Sequence, residues 1–275
     1  GFEIKVTRWQ SGTTQVEEID DLAGDDTSCV VVENPNFFGS IESMVPIADV
    51  THSKGALLIV SVDPVSLGLL APPGEYGADI AVGEGQSLGC PLSYGGPYLG
   101  FLATRKEFIR KLPGRIVGRT VDANGKQCYC LTLQTREQHI RRQRATSNIC
   151  TNQALMALRA TIHLCWLGRE GIRQVARQCL AKAAYAAKAL EGVGIDRRFK
   201  APFFREFVVQ FPVEGGEVID QLATRKILGG IPLARFYDGE DRALLMAFTE
   251  KRTRAEIDRL VESVREIVEC ARKAG

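Results

Sequence analysis

The sequence predicts an α/β protein with a mainly parallel sheet, followed by a smaller α+β unit. Three observations carry that expectation. Over residues 1–100, short apolar runs alternate with helical patterns, the arrangement that joins parallel strands by crossovers. Two long helical patterns follow, over residues 152–167 and 170–190. Beyond about residue 200 the pattern becomes strand, helix, strand, helix.

The chain opens directly on a strand-like run, Phe2-Glu3-Ile4-Lys5-Val6. Domains usually carry a loose terminus ahead of their first element, so an N-terminal part is expected to be missing. Cys29-Val30-Val31-Val32 is a β-branched strand signal, stopped by the turn cluster Asn34-Pro35-Asn36. Residues 41–48 fit a helix. Ala56-Leu57-Leu58-Ile59-Val60 is continuous and apolar, as a strand buried on both faces is. Leu67-Gly68-Leu69-Leu70 gives a short helix and Pro72-Pro73-Gly74 a break. Third and fourth strands are expected at residues 78–82 and 98–103. Residues 113–126 are glycine-rich and read as loop. Thr135-Arg136-Glu137-Gln138 has capping-box spacing and opens a basic segment, residues 139–144.

In the first long helix Leu155, Leu158, Ile162 and Trp166 share one stripe, and Gly168 ends it. In the second, Ile172, Val175, Cys179, Ala183, Ala187 and Leu190 are in phase. The tail reads as a strand at 207–211, a helix at 217–228 closed by Gly229-Gly230, and a strand at 244–248. A second capping box, Thr253-Arg254-Ala255-Glu256, then heads a helix with Ile257, Leu260, Val264 and Ile267 at helical spacing. The expected division is a partial large α/β domain, residues 1–195 with the long linking helix, and a small C-terminal α+β domain, residues 196–275.

With 45% hydrophobic and 25% charged residues, 275 residues suffice for a packed core and argue against disorder. The formal net charge is only +2, so no overall basic field points to nucleic acid. No stretch has the length of a membrane span and no signal-peptide pattern is present; the expected location is the cytoplasm. Cys128 and Cys130 share a strand face, which allows a metal or redox pair. Without a C-x-x-C or paired-histidine spacing, the eight cysteines read better as small apolar side chains of a reducing compartment.

Three places could carry chemistry. Tyr94-Gly95-Gly96-Pro97 is either a loop whose backbone N–H groups approach a phosphate or a tight turn. Asp63 ends an expected strand, where open α/β sheets face their ligands; it could hold a ring nitrogen or a metal. Equally, Asp63-Pro64 is a helix N-cap with proline at the first helical position. The basic run through Arg142 and Arg144 into Ser147-Asn148 either guides an acidic partner or forms a solvated face.

Longer blocks decide between these. Asn34-Pro35-Asn36-Phe37-Phe38-Gly39, the stretch from Asp63-Pro64-Val65-Ser66 through Ala71-Pro72-Pro73-Gly74-Glu75-Tyr76-Gly77-Ala78-Asp79-Ile80, and Gly83-Glu84-Gly85-Gln86-Ser87-Leu88-Gly89 all resemble the P-protein family of the glycine cleavage system. So do Tyr94-Gly95-Gly96-Pro97-Tyr98, Leu133-Gln134-Thr135-Arg136-Glu137-Gln138-His139-Ile140-Arg141-Arg142, Ala145-Thr146-Ser147-Asn148 and Thr249-Glu250-Lys251-Arg252-Thr253. The resemblance covers essentially the whole chain and is closest to the α type, subunit 1.

That resemblance implies the aspartate-aminotransferase-like fold, fold type I of the pyridoxal-phosphate enzymes. It implies decarboxylation of glycine and transfer of the aminomethyl group to the lipoyl arm of a carrier, the H-protein, by an α2β2 assembly. The catalytic β type has a His-Lys pair where this chain has Gln86-Ser87, and neither Gln nor Ser forms an imine. The expectation is therefore a subunit with no catalytic residue of its own, whose partner β subunit holds pyridoxal phosphate covalently. Asp63, which matches the family's ring-nitrogen aspartate, is then vestigial together with Gln86 and Ser87. Tyr94, Gly95 and Gly96 are expected to reach the partner's cofactor. Arg142, Arg144, Ser147 and Asn148 are expected to line a substrate path or dock the carrier, which is acidic in the family. Neither nucleic acid, membrane nor metal enters this reading. Two alternatives use the same residues: a self-sufficient aminotransferase- or desulfurase-type enzyme, which needs a lysine absent from the required place, and a scaffold that kept the fold without the chemistry.

Overall fold

The computed structural model describes residues 1–134, 137–145 and 153–274. Its first sheet has the order β1-β2-β3-β4. Strands β1 (Cys29–Asn34), β2 (Leu57–Val62) and β3 (Ile80–Glu84) run parallel, and β4 (Gly100–Thr104) joins as an antiparallel edge. Helix α2 (Met44–Ser53) crosses from β1 to β2, and two short 3-10 turns, Ser66–Gly68 and Pro73–Tyr76, lead from β2 to β3. The helix thus lies three residues later than expected, and the expected break at Pro72-Pro73 is itself a 3-10 turn.

The apolar run of β2 is buried on one face only. Leu58, Val60 and Val62 face Met44, Ile47 and Ala48 of α2 and Ile19 of α1 (Val16–Leu22), while Leu57 and Ile59 are half-buried. The strand expected at residues 2–6 does not form. Phe2, Ile4 and Val6 are exposed, and no described strand pairs with them; an apolar run without a ladder partner stays irregular.

Residues 113–126 are not a loop throughout. Strands β5 (Ile116–Val121) and β6 (Gln127–Thr132) form an antiparallel hairpin. Asp122 Oδ1 accepts the N–H groups of Asn124 (2.8 Å) and Lys126 (2.9 Å), and Gly125 takes φ +76°. The glycine content concealed an Asn-Gly hairpin signal. Helix α3 (Gln138–Arg141) is a single turn; the capping box expected before it involves Thr135 and Arg136, which lie outside the described residues.

Helix α4 (Ala154–Glu191) is interrupted at Gly168, whose φ of +61° and ψ of −175° are not helical, where the sequence expected a stop. The C-terminal sheet has the order β7-β9-β8, with β7 (Glu206–Gln210), β9 (Ala243–Ala247) and the unforeseen two-residue β8 (Ile231–Pro232). Helix α5 (Gly215–Thr224) stops before the expected 228, because Lys226 turns to φ +59° and the N–H of Ile227 closes on Leu222 O. Helix α6 (Arg254–Ala274) carries its capping box as expected. Thr253 N–H donates to Glu256 Oε2 (2.7 Å), and Glu256 N–H donates to Thr253 Oγ1 (3.2 Å).

Ala183, Ala187 and Leu190 of α4 pack with Phe207, Leu222, Met246 and Val264 in one core. We keep the division at residues 195–200 as a proposal. What places the C-terminal unit against the first sheet is the loop after β1. Ile41 N–H donates to Pro202 O, Phe204 N–H donates to Gly39 O, and Ser40 bridges Phe203. Gly39 has φ +78°, and a Cβ there would lie 1.9 Å from Glu206 O, so only glycine permits this approach.

Candidate functional site

The parallel strands β1, β2 and β3 end at a common edge, where open α/β sheets hold their ligands. A cavity of about 400 Å³ lies there. Its floor is Glu33 of β1, Asp63 just beyond β2, and Glu84, Gln86 and Ser87 at and after the end of β3. Its roof comes from the stitched segment Phe204-Arg205-Glu206 and from Leu245 of β9. The sequence therefore named three of its residues, Asp63, Gln86 and Ser87, and the fold brings all three together.

Asp63 is not the N-cap that Asp63-Pro64 suggested: Val65 heads the 3-10 turn Ser66–Gly68, and Asp63 closes the turn just before it. Its Oδ1 accepts Val65 N–H at 3.0 Å, and its backbone oxygen accepts the Ser66 N–H and hydroxyl. It also does something the sequence did not reveal: Oδ2 lies 3.0 Å from Arg205 Nη2. Arg205 Nε lies 3.9 Å from Glu206 Oε1, so one guanidinium serves two carboxylates. Loss of water raises the Asp63 carboxyl, against the pull of Arg205 and Val65 N–H. Glu206 is raised by the same loss, opposed by Arg205 and reinforced by Asp63, and Glu33 is raised by desolvation and by Glu206. Burial is the leading cause for all three, and for Glu206 and Glu33 a neighbouring carboxylate adds to it.

Gln86 is turned onto its own loop, Nε2 donating to Cys90 O at 2.6 Å. Ser87 Oγ is buried and makes no hydrogen bond. Among the described residues, no lysine lines the cavity. Pyridoxal phosphate needs an amine to hold it and donors for a phosphate. A cavity with no lysine, a carboxylate already paired, and Glu33, Glu84 and Glu206 around it does not fit that group.

The other expected residues stand apart. Tyr94 is fully exposed at φ +52°, followed by Gly95 at +109° and Gly96 at +134°. A Cβ on Gly95 would meet nothing within 4 Å, and none of the three lines the cavity. Arg142, at φ +52°, and Arg144 are exposed in the 3-10 turn after α3; Ser147 and Asn148 lie outside the described residues. At the opposite end of the sheet, buried Asp79 accepts Leu58 N–H (2.8 Å), with His52 Nε2 at 2.9 Å and Arg105 Nη1 at 3.3 Å. Burial opposes its charge, yet the Leu58 N–H, His52 and Arg105 together hold this carboxyl below its ordinary value.

Comparison with known proteins places this geometry. The family profile described as glycine cleavage system P-protein matches residues 1–264. A probable glycine dehydrogenase (decarboxylating) subunit 1 from Moorella thermoacetica is 55% identical over 269 residues, covering 98% of this chain and 61% of the relative. The crystal structure of a glycine decarboxylase (P-protein) of the glycine cleavage system, in inhibitor-bound form, superposes with a TM-score of 0.83 at 44% identity, over 89% of this chain and 56% of that one. A cysteine desulfurase from Escherichia coli shares the fold alone, with a TM-score of 0.68 at 18% identity over 96% of this chain and 64% of that one. The fold is the aspartate-aminotransferase-like one. The chain spans about three fifths of the length of the relatives it matches.

Proposed function

The chain belongs to the glycine cleavage system P-protein family, and from that premise we propose that it is part of the α-type subunit of a glycine decarboxylase, the subunit that does not anchor the cofactor. Its partner, a β subunit in an α2β2 assembly, holds pyridoxal phosphate covalently. The assembly acts on glycine and passes the aminomethyl group to a lipoylated H-protein in the cytoplasm; no helix among the described residues is long and apolar enough to cross a membrane. Bound pyridoxal phosphate supplies the electron sink for decarboxylation. This chain's own residues supply walls and surfaces.

The observation that carries the reading is the end of β3. Gln86 and Ser87 line the cavity, neither can form an imine, and in this reading they stand where the catalytic type has its amine. The Tyr94-Gly95-Gly96 loop, with open space around Gly95, closes the partner's site in this reading. Arg142, Arg144, Ser147 and Asn148 steer an acidic carrier.

The test mixes the full chain with pyridoxal phosphate, reduces with borohydride and searches for a lysine adduct by peptide mass; the chain is then combined with a catalytic partner and glycine decarboxylation is followed. No stoichiometric adduct, with stimulation of the partner, is expected. One stoichiometric adduct on a single lysine overturns the reading. Binding without stimulation favours the scaffold alternative.

A further inference from the structure

Asp63 already has a cation. Its Oδ2 is 3.0 Å from Arg205 Nη2, and the two side chains are 16% and 21% exposed. We infer that Arg205 is the built-in occupant of this cavity: its guanidinium fills the place where the ring nitrogen of a pyridine-type cofactor would meet Asp63, and so closes the cavity to that ring. The inference rests on reading the cavity as the counterpart of a cofactor pocket. It goes beyond the missing lysine. Lack of an amine forbids only covalent attachment, whereas an occupied Asp63 forbids the ring held without a bond as well.

Three features make the occupancy permanent. Arginine does not deprotonate, so the pair persists across the pH range in which Asp63 is ionised. The backbone that carries Arg205 is fixed on both sides: Phe204 is buried against Val65, Ala176 and Cys179, and Arg205 O accepts Phe248 N–H at 2.8 Å. An entering ring would have to break a largely buried ion pair and leave a guanidinium without its acceptor, which is the costly way to open such a pair. Asp63 is thus retained as half of a clamp, joining the end of β2 to the start of β7.

Pyridoxine is the probe, because it carries the ring nitrogen without a phosphate that the surrounding Glu33, Glu84 and Glu206 would repel. The full chain, Arg205→Met, Arg205→Lys and Asp63→Asn/Arg205→Met are titrated with pyridoxine by fluorescence, with circular dichroism to establish that each is folded. Arg205→Met should bind pyridoxine at least about tenfold tighter than the parent chain, a difference of roughly 1.4 kcal/mol. Arg205→Lys keeps a cation on Asp63 and should match the parent; the double variant should lose the gain. An affinity that does not respond to Arg205, or a gain that survives without Asp63, overturns the inference. Arg205→Leu, which likewise leaves Asp63 without a partner, replaces the methionine variant should that one fail to fold. Failure of the subunit reading would show separately, as a borohydride-trapped adduct in the parent chain.

Discussion

The two halves of α4 carry similar apolar patterns and meet opposite fates. After Gly168, Ala176, Cys179, Ala183, Ala187 and Leu190 are buried against Phe204 and the C-terminal core. Before it, Leu155, Leu158, Ile162 and Trp166 are 70%, 55%, 55% and 87% exposed. Leu92, Tyr94, Val117, Val121 and Tyr129 are also exposed. Periodicity therefore states that a face is made for burial, and leaves open which chain supplies the cover. Exposed apolar surface of this kind marks an interface. In the subunit reading these exposed side chains of Leu92, Tyr94, Val117, Val121, Tyr129 and the first half of α4 meet further polypeptide, while the second half of α4 finds its cover within this chain.

The largest test of that contrast compares Leu190→Ala with Trp166→Ala. Leu190 is fully buried, so its truncation should cost about 3 kcal/mol in urea unfolding. Trp166→Ala should stay within about 0.5 kcal/mol in the isolated chain and weaken association with the catalytic partner. Equal destabilisation by the two would break the comparison.

The two ends of the first sheet should answer pH in opposite directions. Asp79 is held below its ordinary 3.8, so its stabilisation is present above that pH and is lost as pH falls through the lower, folded value. Asp79→Asn should cost about 2 kcal/mol near neutral pH, with the gap to the parent closing in acid. At the cavity Glu206 is raised, so its contribution is full below its ordinary 4.5 and is lost as pH rises through the folded value. Glu206→Gln should therefore stabilise the chain at neutral pH. Unfolding curves at several pH values check both signs.

Local rules made much of this legible. The strands β1, β2, β3, β7 and β9, the stop at Gly168 and the capping box at Thr253 each follow from residues within a few positions. The cavity was half legible. Asp63, Gln86 and Ser87 lie at strand ends, where a sheet displays its chemistry, and the quoted blocks marked them. Arg205 and Glu206 gave no signal: they are charged residues at the start of an ordinary strand, and only the stitching of Gly39 to Phe204 carries them over Asp63. Residues 2–6 misled for the reverse reason, an apolar alternation with no described strand beside it.

The smallest effect separates the same two regions at their helix starts. Helix α6 begins with the reciprocal Thr253–Glu256 bonds, whereas Gln153 at the head of α4 makes no side-chain bond to its helix. Thr253→Ala should cost about 1 kcal/mol, since the Glu256 N–H at the first turn loses its acceptor, Thr253 Oγ1. Gln153→Ala removes no such bond and should cost a few tenths of a kcal/mol at most. Because α6 feeds Ile257, Leu260 and Val264 into the C-terminal core, fraying its first turn reaches that core directly. The start of α4 has no comparable load, its first apolar residues being exposed. Hydrogen exchange would read the difference: faster exchange at the start of α6 in Thr253→Ala, and none at the start of α4 in Gln153→Ala, if the first half of α4 contributes little to the stability of the chain by itself.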